Sequence, residues 1–195
     1  MTSIQFCSRC GGPLAPRIPA GDSRERLCCD NCGFVHYENP KVLVACMMSW
    51  QGRALWLRRA NPPHAGLWGM PMGFMEMGET PRFAAARELR EETLVDVDPE
   101  TLSLYIVGSL TRMNEIHIVF RGEMPSAFCG VGEEVLEVAL LGEDEVPWQE
   151  FAYPEVEEPA RRYYRELRSG EFGMYLGEIT GAGMRLLSAL HAPAS

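Results

Sequence analysis

At 195 residues, with 46% hydrophobic content, the chain has room for one main domain and a small appendage. A formal charge of −9 and a pI near 5.0 exclude bulk electrostatic attraction to nucleic acid or to an anionic membrane. The longest apolar run, residues 42–50, falls well short of the roughly 20 residues that span a bilayer. The N-terminus shows no basic segment leading into an apolar stretch, so no secretion signal is read and the cytoplasm is the expected compartment. An acidic protein acting on a phosphate substrate needs a separate source of positive charge, which a divalent cation would supply.

Four of the seven cysteines form two C-x-x-C pairs, Cys7 with Cys10 and Cys29 with Cys32, and 18 residues separate Cys10 from Cys29. Two knuckles at this spacing point to a tetrahedral Zn2+ held by four thiolates. Glycines follow both pairs (Gly11 and Gly12, then Gly33), where a knuckle turn needs positive φ or a close backbone approach. Disulfides are the rival reading and require an oxidising compartment. Cys28 competes with Cys29 as a ligand, but Cys29 is the one that completes C-x-x-C with Cys32. Cys46 and Cys129 are read as inert thiols. Four thiolates leave the zinc no open position, so its role is structural. As a nucleic-acid module the segment is poorly equipped: residues 1–38 hold Arg9, Arg17, Arg24 and Arg26 as their basic groups, without interleaved aromatics.

Asn39-Pro40 reads as a hinge dividing a zinc ribbon over residues 1–38 from a second domain over 39–195. Residues 41–49 are apolar and β-rich, Gln51-Gly52 is a turn signal, and residues 54–58 form the returning strand of a hairpin. A loop dense in Gly and Pro covers residues 61–79. The pattern then predicts a helix over 81–93, with Thr80 at its N-cap and Pro81 at its first position. Residues 102–110, 115–121 and 135–141 read as strands, and 155–168 as a second helix closed by Gly170 at C′. After Gly181 the reading stays open, since residues 184–190 fit a short helix or a mobile tail. Strands and helices interleave, which predicts the α/β class, a sheet covered by helices.

Chemistry concentrates between Gly73 and Val95. On the first helix Glu88, Glu91 and Glu92 fall within an arc about 100° wide, apart from the core face carried by Ala85, Ala86, Leu89 and Thr93. Glu88 and Glu92 are like charges at i,i+4, which costs a helix a few tenths of a kcal/mol. They also stand toward its negative C-terminal end. A bound Mg2+ or Mn2+ would reverse both penalties, whereas a solvated face paired with Arg87 and Arg90 is the alternative.

The flanking residues favour the metal. Gly73, five residues, Glu79, seven residues, then Arg87-Glu88-Leu89-Arg90-Glu91-Glu92-Thr93 is similar to the Nudix signature G-x5-E-x7-R-E-U-x-E-E-x-G-U, where U is aliphatic. One position departs from it: Leu94 stands where the family usually has Gly, which bears on how the helix ends. Residues 66–74 resemble the loop that enters this motif. The ribbon joined through Asn39-Pro40-Lys41 resembles a zinc-ribbon subgroup containing plant-type FAD pyrophosphatases, and that resemblance runs from Phe6 to about Ile179. The Ser-Gln-Pro-Trp-Pro-Phe-Pro motif of the NADH-type relatives is absent, and residues 108–114 read Gly-Ser-Leu-Thr-Arg-Met-Asn in its place.

The resemblance implies a Nudix α/β/α sandwich on a mixed sheet, preceded by the zinc ribbon. It makes Glu88 and Glu92 the main Mg2+ or Mn2+ ligands, Glu91 a third ligand or an activator of water, and the Gly73 carbonyl part of the metal shell. Glu79 pairs with Arg87 to fix the loop against the helix. Glu134 resembles a loop carboxylate that assists catalysis; an ordinary solvated acid is the competing reading, and Glu137 is a rival candidate. His64, in the loop before the motif, is read as a surface residue with substrate contact as the alternative, His117 as a strand residue, and His36 is not needed as a zinc ligand. Trp148, Phe151 and Tyr153 offer rings for stacking a base or flavin, or else belong to the core. The implied activity is cleavage of the pyrophosphate bond in a nucleoside diphosphate linked to a second group. FAD (to FMN and AMP) leads, ADP-ribose follows, and the substrate is a small dinucleotide or nucleotide sugar. A ligand-sensing or nucleic-acid-binding regulator on the same scaffold is the alternative, against which the intact acidic set argues. No membrane partner is expected, and a homodimer stays open.

Overall fold

The computed structural model describes residues 4–180 and 183–190. Residues 1–40 and 41–195 form two compact units.

In the first unit three short strands, β1 (Leu14–Arg17), β2 (Arg26–Cys29) and β3 (Val35–His36), form an antiparallel sheet in that order. The two knuckles repeat one geometry. Gly11 N–H donates to the Cys7 carbonyl at 2.8 Å and Gly33 N–H to the Cys29 carbonyl at 2.9 Å, with φ of 71° and 70° at the two glycines. Gly12 meets the other expectation, since a Cβ there would lie 2.6 Å from the Asn31 side chain.

The second unit contains β4 (Lys41–Trp50), β5 (Arg53–Arg59), β6 (Trp68–Gly69), β7 (Met72–Phe74), α1 (Pro81–Thr93), β8 (Ser103–Leu110), β9 (Glu115–Glu123), β10 (Val135–Leu141), α2 (Glu157–Ser169), β11 (Met174–Thr180) and β12 (Gly183–Leu190). They build one mixed sheet in the order β10-β5-β4-β9-β8-β11-β12. The β4–β9 and β8–β11 pairs are parallel, and the remaining neighbours are antiparallel. β4 is apolar from Val42 to Met48 because both of its faces are covered there. Val44, Cys46 and Met48 pack with Ala84, Ala85, Ala86 and Leu89 of α1 in one core, while Ala45 and Met47 pack with Ala160, Tyr163 and Tyr164 of α2 in the other. Alternation along one strand therefore feeds both helix layers and gives the expected α/β/α sandwich.

The sheet is split where the site will lie. β4 and β5 pair only at Ser49↔Ala54 and Trp50↔Arg53, next to their connecting turn. Beyond that the strands diverge and the connection out of β5 returns between them. Its β6 pairs with β5 (Leu57↔Gly69), and its β7 pairs with β4 (Val44↔Gly73). The expectation of an unstructured loop over 61–79 is thus corrected, because these strands use backbone partners that local composition does not reveal. Residues 184–190 likewise belong to a strand, β12, rather than a helix, and Gly181 lies outside the described residues. β12 pairs with β11, which was not foreseen, and β11 finds its partner in distant β8 (Tyr175↔Ile106).

Helix α1 starts as expected: Thr80 Oγ1 accepts from Phe83 N–H at 3.3 Å, and Pro81 fills the first position. It ends on Leu94, whose N–H donates to the Arg90 carbonyl at 2.9 Å in the left-handed region (φ 56°, ψ 13°). The exit geometry that suits glycine is therefore kept by a leucine, at a strain of about 1–2 kcal/mol. Leu94→Gly is expected to raise the unfolding free energy by about 0.5–1 kcal/mol, because relief of strain exceeds the added chain entropy of glycine. Urea denaturation checks this, and a lower midpoint would show that packing of the Leu94 side chain near Gly130 outweighs backbone strain.

Candidate active site

Register sets the site. Pairing of β7 with β4 lays Gly73 against α1 at Glu88, and a Cβ on residue 73 would lie 2.2 Å from the Glu88 carboxyl carbon. Nothing larger than glycine fits while that carboxylate stays in place. One residue earlier, Met72 N–H donates to Glu92 Oε2 at 2.9 Å.

Arg87 gathers the acids. Its Nε and Nη2 donate to the two Glu79 oxygens at 2.7 and 3.0 Å, its Nη1 to Glu88 at 2.7 Å and Glu91 at 3.1 Å, and its Nη2 also to the Phe74 carbonyl at 3.2 Å. The Arg87, Glu79 and Glu88 side chains are 17%, 12% and 15% exposed, so these contacts are stronger than an ordinary surface ion pair. The guanidinium holds the Glu79 carboxyl below the usual carboxylate range. Glu79 in turn accepts from Glu76 N–H at 2.9 Å, which closes the loop onto the helix.

The two carboxylates facing Gly73 and Met72 behave oppositely to Glu79. Burial pushes Glu88 up despite Arg87, and it pushes Glu92 up to about 7, with the negative charges of Glu88 and Glu134 adding to the effect. Desolvated acids in mutual repulsion are a donor set that a hard divalent cation suits.

Glu134 reaches the same place by a separate route. Gly130 N–H donates to the Thr93 carbonyl at 2.8 Å and Gly132 N–H to the Glu92 carbonyl at 3.0 Å, satisfying carbonyls left open at the end of α1. A Cβ on Gly132 would lie 1.9 Å from the Glu91 carbonyl oxygen, so this docking also requires glycine. The loop thereby carries Glu134 into the cleft. Glu137 does not come to it: this residue lies along β10 and faces Arg58 at 3.9 Å.

The acids open onto a cleft of about 1050 Å3 lined by Gly73, Phe74, Glu88, Glu91, Glu92 and Glu134, and further by Arg59, His64, Arg112, Glu115, His117 and Tyr153. Of the three rings considered for stacking, Tyr153 alone reaches it. Phe151 is 6% exposed and packs edge-on to Trp56, and Trp148 stacks on Phe151 at 5.4 Å, so both belong to the core. Phe74, 45% exposed, is a second ring at the cleft that the sequence did not single out. His64 packs edge-on to Tyr153 at 5.1 Å, and His117, in β9, pairs with Glu115 at 3.0 Å. The residues missed by sequence reasoning, Arg59, Arg112 and Glu115, lie outside the motif; the strand-end positions of Arg59 and Glu115 and the turn position of Arg112 were the one available signal.

In the first unit the sulfurs of Cys7, Cys10, Cys29 and Cys32 lie within 4.8 Å of one another. Cys7 and Cys32 are 3.8 Å apart and Cys10 and Cys29 3.5 Å, beyond disulfide bonding and suited to the edges of a zinc tetrahedron. Cys28 turns away and donates to the Arg26 carbonyl at 3.6 Å. Cys46 is buried in the core, its thiol pushed up to about 12 by burial.

A mixed sheet split by an inserted loop and faced by an acidic helix defines the Nudix fold. The profile described as NUDIX domain matches residues 38–167, and the one described as Nudix N-terminal, a zinc ribbon, matches residues 5–38. The chain belongs to the NUDIX family and carries its N-terminal ribbon. It is 40% identical to a NUDIX hydrolase from Nitrosomonas europaea whose crystal structure superposes with a TM-score of 0.84, covering 90% of this chain and 99% of that one. An ADP-ribose pyrophosphatase from Methanocaldococcus jannaschii is 29% identical over 124 residues, 62% of this chain and 72% of the relative. An NAD-capped RNA hydrolase, NudC, from Vibrio atlanticus is 31% identical over 96 residues, 49% of this chain and 34% of the relative. The chain thus spans about a third of the NudC-type relatives it matches. Among the described residues no helix is long and apolar enough to cross a membrane.

The raised Glu92 carboxyl gives a signed pH dependence. Its folded-state value of about 7 lies above the ordinary 4.5, so its contribution to stability is present at low pH and is lost as pH rises from 4.5 through 7. Without added divalent cation, Glu92→Gln should match wild type near pH 4 and exceed it near pH 8 by on the order of 1–2 kcal/mol. Chemical denaturation at both pH values tests this, and equal stabilities near pH 8 would count against it.

Proposed function

We propose that the protein hydrolyses the pyrophosphate bond of a nucleoside diphosphate linked to a second group, with residues 39–195 as the catalytic domain and residues 1–38 as a ribbon closed by a structural zinc. The observation that carries the reading is the convergence of Glu88, Glu92 and Glu134 on one cleft beside the Gly73 loop, where burial, with the neighbouring negative charges adding to it, raises the Glu92 carboxyl to about 7. Glu88, Glu91, Glu92 and the Gly73 carbonyl would hold Mg2+ or Mn2+. When bound, such ions neutralise diphosphate charge and activate water.

The chain's own residues do the remainder. Arg87 and Glu79 fix the loop so that Gly73 and the helix acids share one face. Water attacks phosphorus in line and the phosphoanhydride bond breaks, leaving two phosphate-ended products. Glu134 accepts the water's proton; among the described residues its carboxylate has no hydrogen-bonding or ion-pair partner, unlike Glu88 and Glu91, which Arg87 holds. Glu92→Gln should lower kcat at least about a hundredfold while the fold persists, and near wild-type turnover at saturating Mg2+ would remove the acidic face from the mechanism.

FAD, cleaved to FMN and AMP, is the first substrate proposed, on the resemblance to plant-type FAD pyrophosphatases and the lack of the NADH-type motif. ADP-ribose is the second, supported by the activity named for the M. jannaschii relative. Tyr153 and Phe74 give the cleft rings for a base or flavin. FAD is expected to exceed NADH in kcat/KM at least about tenfold, since discrimination must come from the end groups. Product chromatography of FAD, ADP-ribose and NADH decides this: dominant ADP-ribose cleavage with intact FAD transfers the assignment, and no cleavage with either metal favours a binding protein.

The four cysteines Cys7, Cys10, Cys29 and Cys32 are the proposed zinc ligands. Elemental analysis should find about one tightly held Zn2+ per chain, and Cys7→Ser or Cys32→Ser should lower thermal stability more than turnover. Zinc-free protein prepared without chelator would overturn the assignment.

A further inference from the structure

Eight glutamates line the cleft, and among the described residues its arginines are Arg59 and Arg112. Arg112 is engaged, facing Glu155 at 3.5 Å. Arg59 is not: among the described residues no carboxylate pairs with it, and its Nε is buried without a hydrogen-bond partner. The residue as a whole is half-buried, but a guanidinium N–H deprived of both water and acceptor is costly unless something else completes it. Eight acids in the same cleft make the missing partner still more conspicuous, because the cation has been held apart from them.

Its position is rigid. Arg59 ends β5, and both of its backbone groups are bonded, the N–H to the Leu67 carbonyl at 2.9 Å and the carbonyl to Gly66 N–H at 2.8 Å. The next residue, Ala60, donates to the Glu134 carbonyl at 2.9 Å, so the arginine and the loop acid are tied together by main chain. The Arg59 guanidinium lies over the Tyr153 ring at 5.9 Å, and its charge partly opposes the rise that burial imposes on Glu92. The cation therefore stands between the acidic face and an aromatic wall.

From this we infer that Arg59 is an anion-reading residue: its fork takes a phosphate of the bound diphosphate, completing the Nε bond and orienting the substrate so that its base or other end group meets Tyr153. The inference rests on the proposed diphosphate chemistry and adds to it the residue that recognises the anion. Arginine suits the role, since its planar fork meets two phosphate oxygens at once, which a lysine does not. Such a residue binds ground state and transition state alike, so its loss raises KM more than it lowers kcat.

The test uses full-length protein with Mg2+, comparing wild type, Arg59→Gln and Arg59→Lys. Calorimetric titration with ADP reads the anion site without turnover, and steady-state kinetics on FAD and ADP-ribose give the KM and kcat split. Arg59→Gln is expected to weaken ADP and raise KM at least about tenfold with kcat within about threefold, and Arg59→Lys to recover part of the loss. Melting of the unliganded Arg59→Gln protein should stay level or rise, because a buried Nε–H without an acceptor has been removed; a marked fall would assign Arg59 a structural role and overturn the inference. ADP binding within twofold of wild type, or a wild type that binds no ADP, overturns it as well. If Arg59→Gln loses ADP while wild type cleaves no dinucleotide, the anion site stands and the hydrolase reading fails. If wild type cleaves its substrate and Arg59→Gln leaves KM unchanged, the hydrolase reading stands and this one fails.

Discussion

A single guanidinium organises the acidic site. Arg87 reaches Glu79, Glu88 and Glu91 and the Phe74 carbonyl, so it touches the loop strand, the loop that follows it and the helix at once. Carboxylates brought this close repel, and burial makes each costlier to keep charged. The arginine offsets that repulsion on one side of the helix, and it leaves Glu92, on the far side of the turn, with the Met72 N–H and the Arg59 charge, which do not outweigh its burial. The acids are thereby divided: Glu79 is held low by its arginine, while burial keeps Glu88 and Glu92 raised.

Around that centre, space is made by leaving atoms out. Gly73 lets β7 approach Glu88, and Gly132 lets the loop before β10 rest on the last carbonyls of α1. Both approaches occur where the sheet parts between β4 and β5, so the cleft follows from a topological choice rather than from any one side chain. The core is built to tolerate the split. Each half of the sheet retains its own cover, with α1 on one face and α2 on the other.

What the sequence disclosed and what it hid follow a physical line. Local signals were legible: the Thr80 cap, Pro81, the Gly170 exit, the two knuckles, and the spacing that put Gly73, Glu79, Arg87, Glu88, Glu91 and Glu92 in one place. Strands whose partners are distant were not. β6 and β7 lie in a Gly- and Pro-rich stretch and exist because β4 and β5 leave edges open to them, and β11 exists because β8 offers a parallel edge far away in sequence. Cleft residues outside the motif were hidden for a related reason. Arg59 and Arg112 are ordinary charged residues until the fold shows that, among the described residues, Arg112 has a carboxylate partner and Arg59 has none.

The alternation along β4 has a further meaning. Val44, Cys46 and Met48 face one core and Ala45 and Met47 the other, while Val44 is also the residue opposite Gly73. A slip of β7 by one residue would bring a side chain where only a hydrogen fits and withdraw the Met72 N–H from Glu92. A slip of β4 itself would exchange small and large residues between two finished layers. Misassembled chains would then be betrayed by poor packing and a spoiled acidic face together, so that selection for a well-packed interior and selection for a competent site act on one alignment of strands.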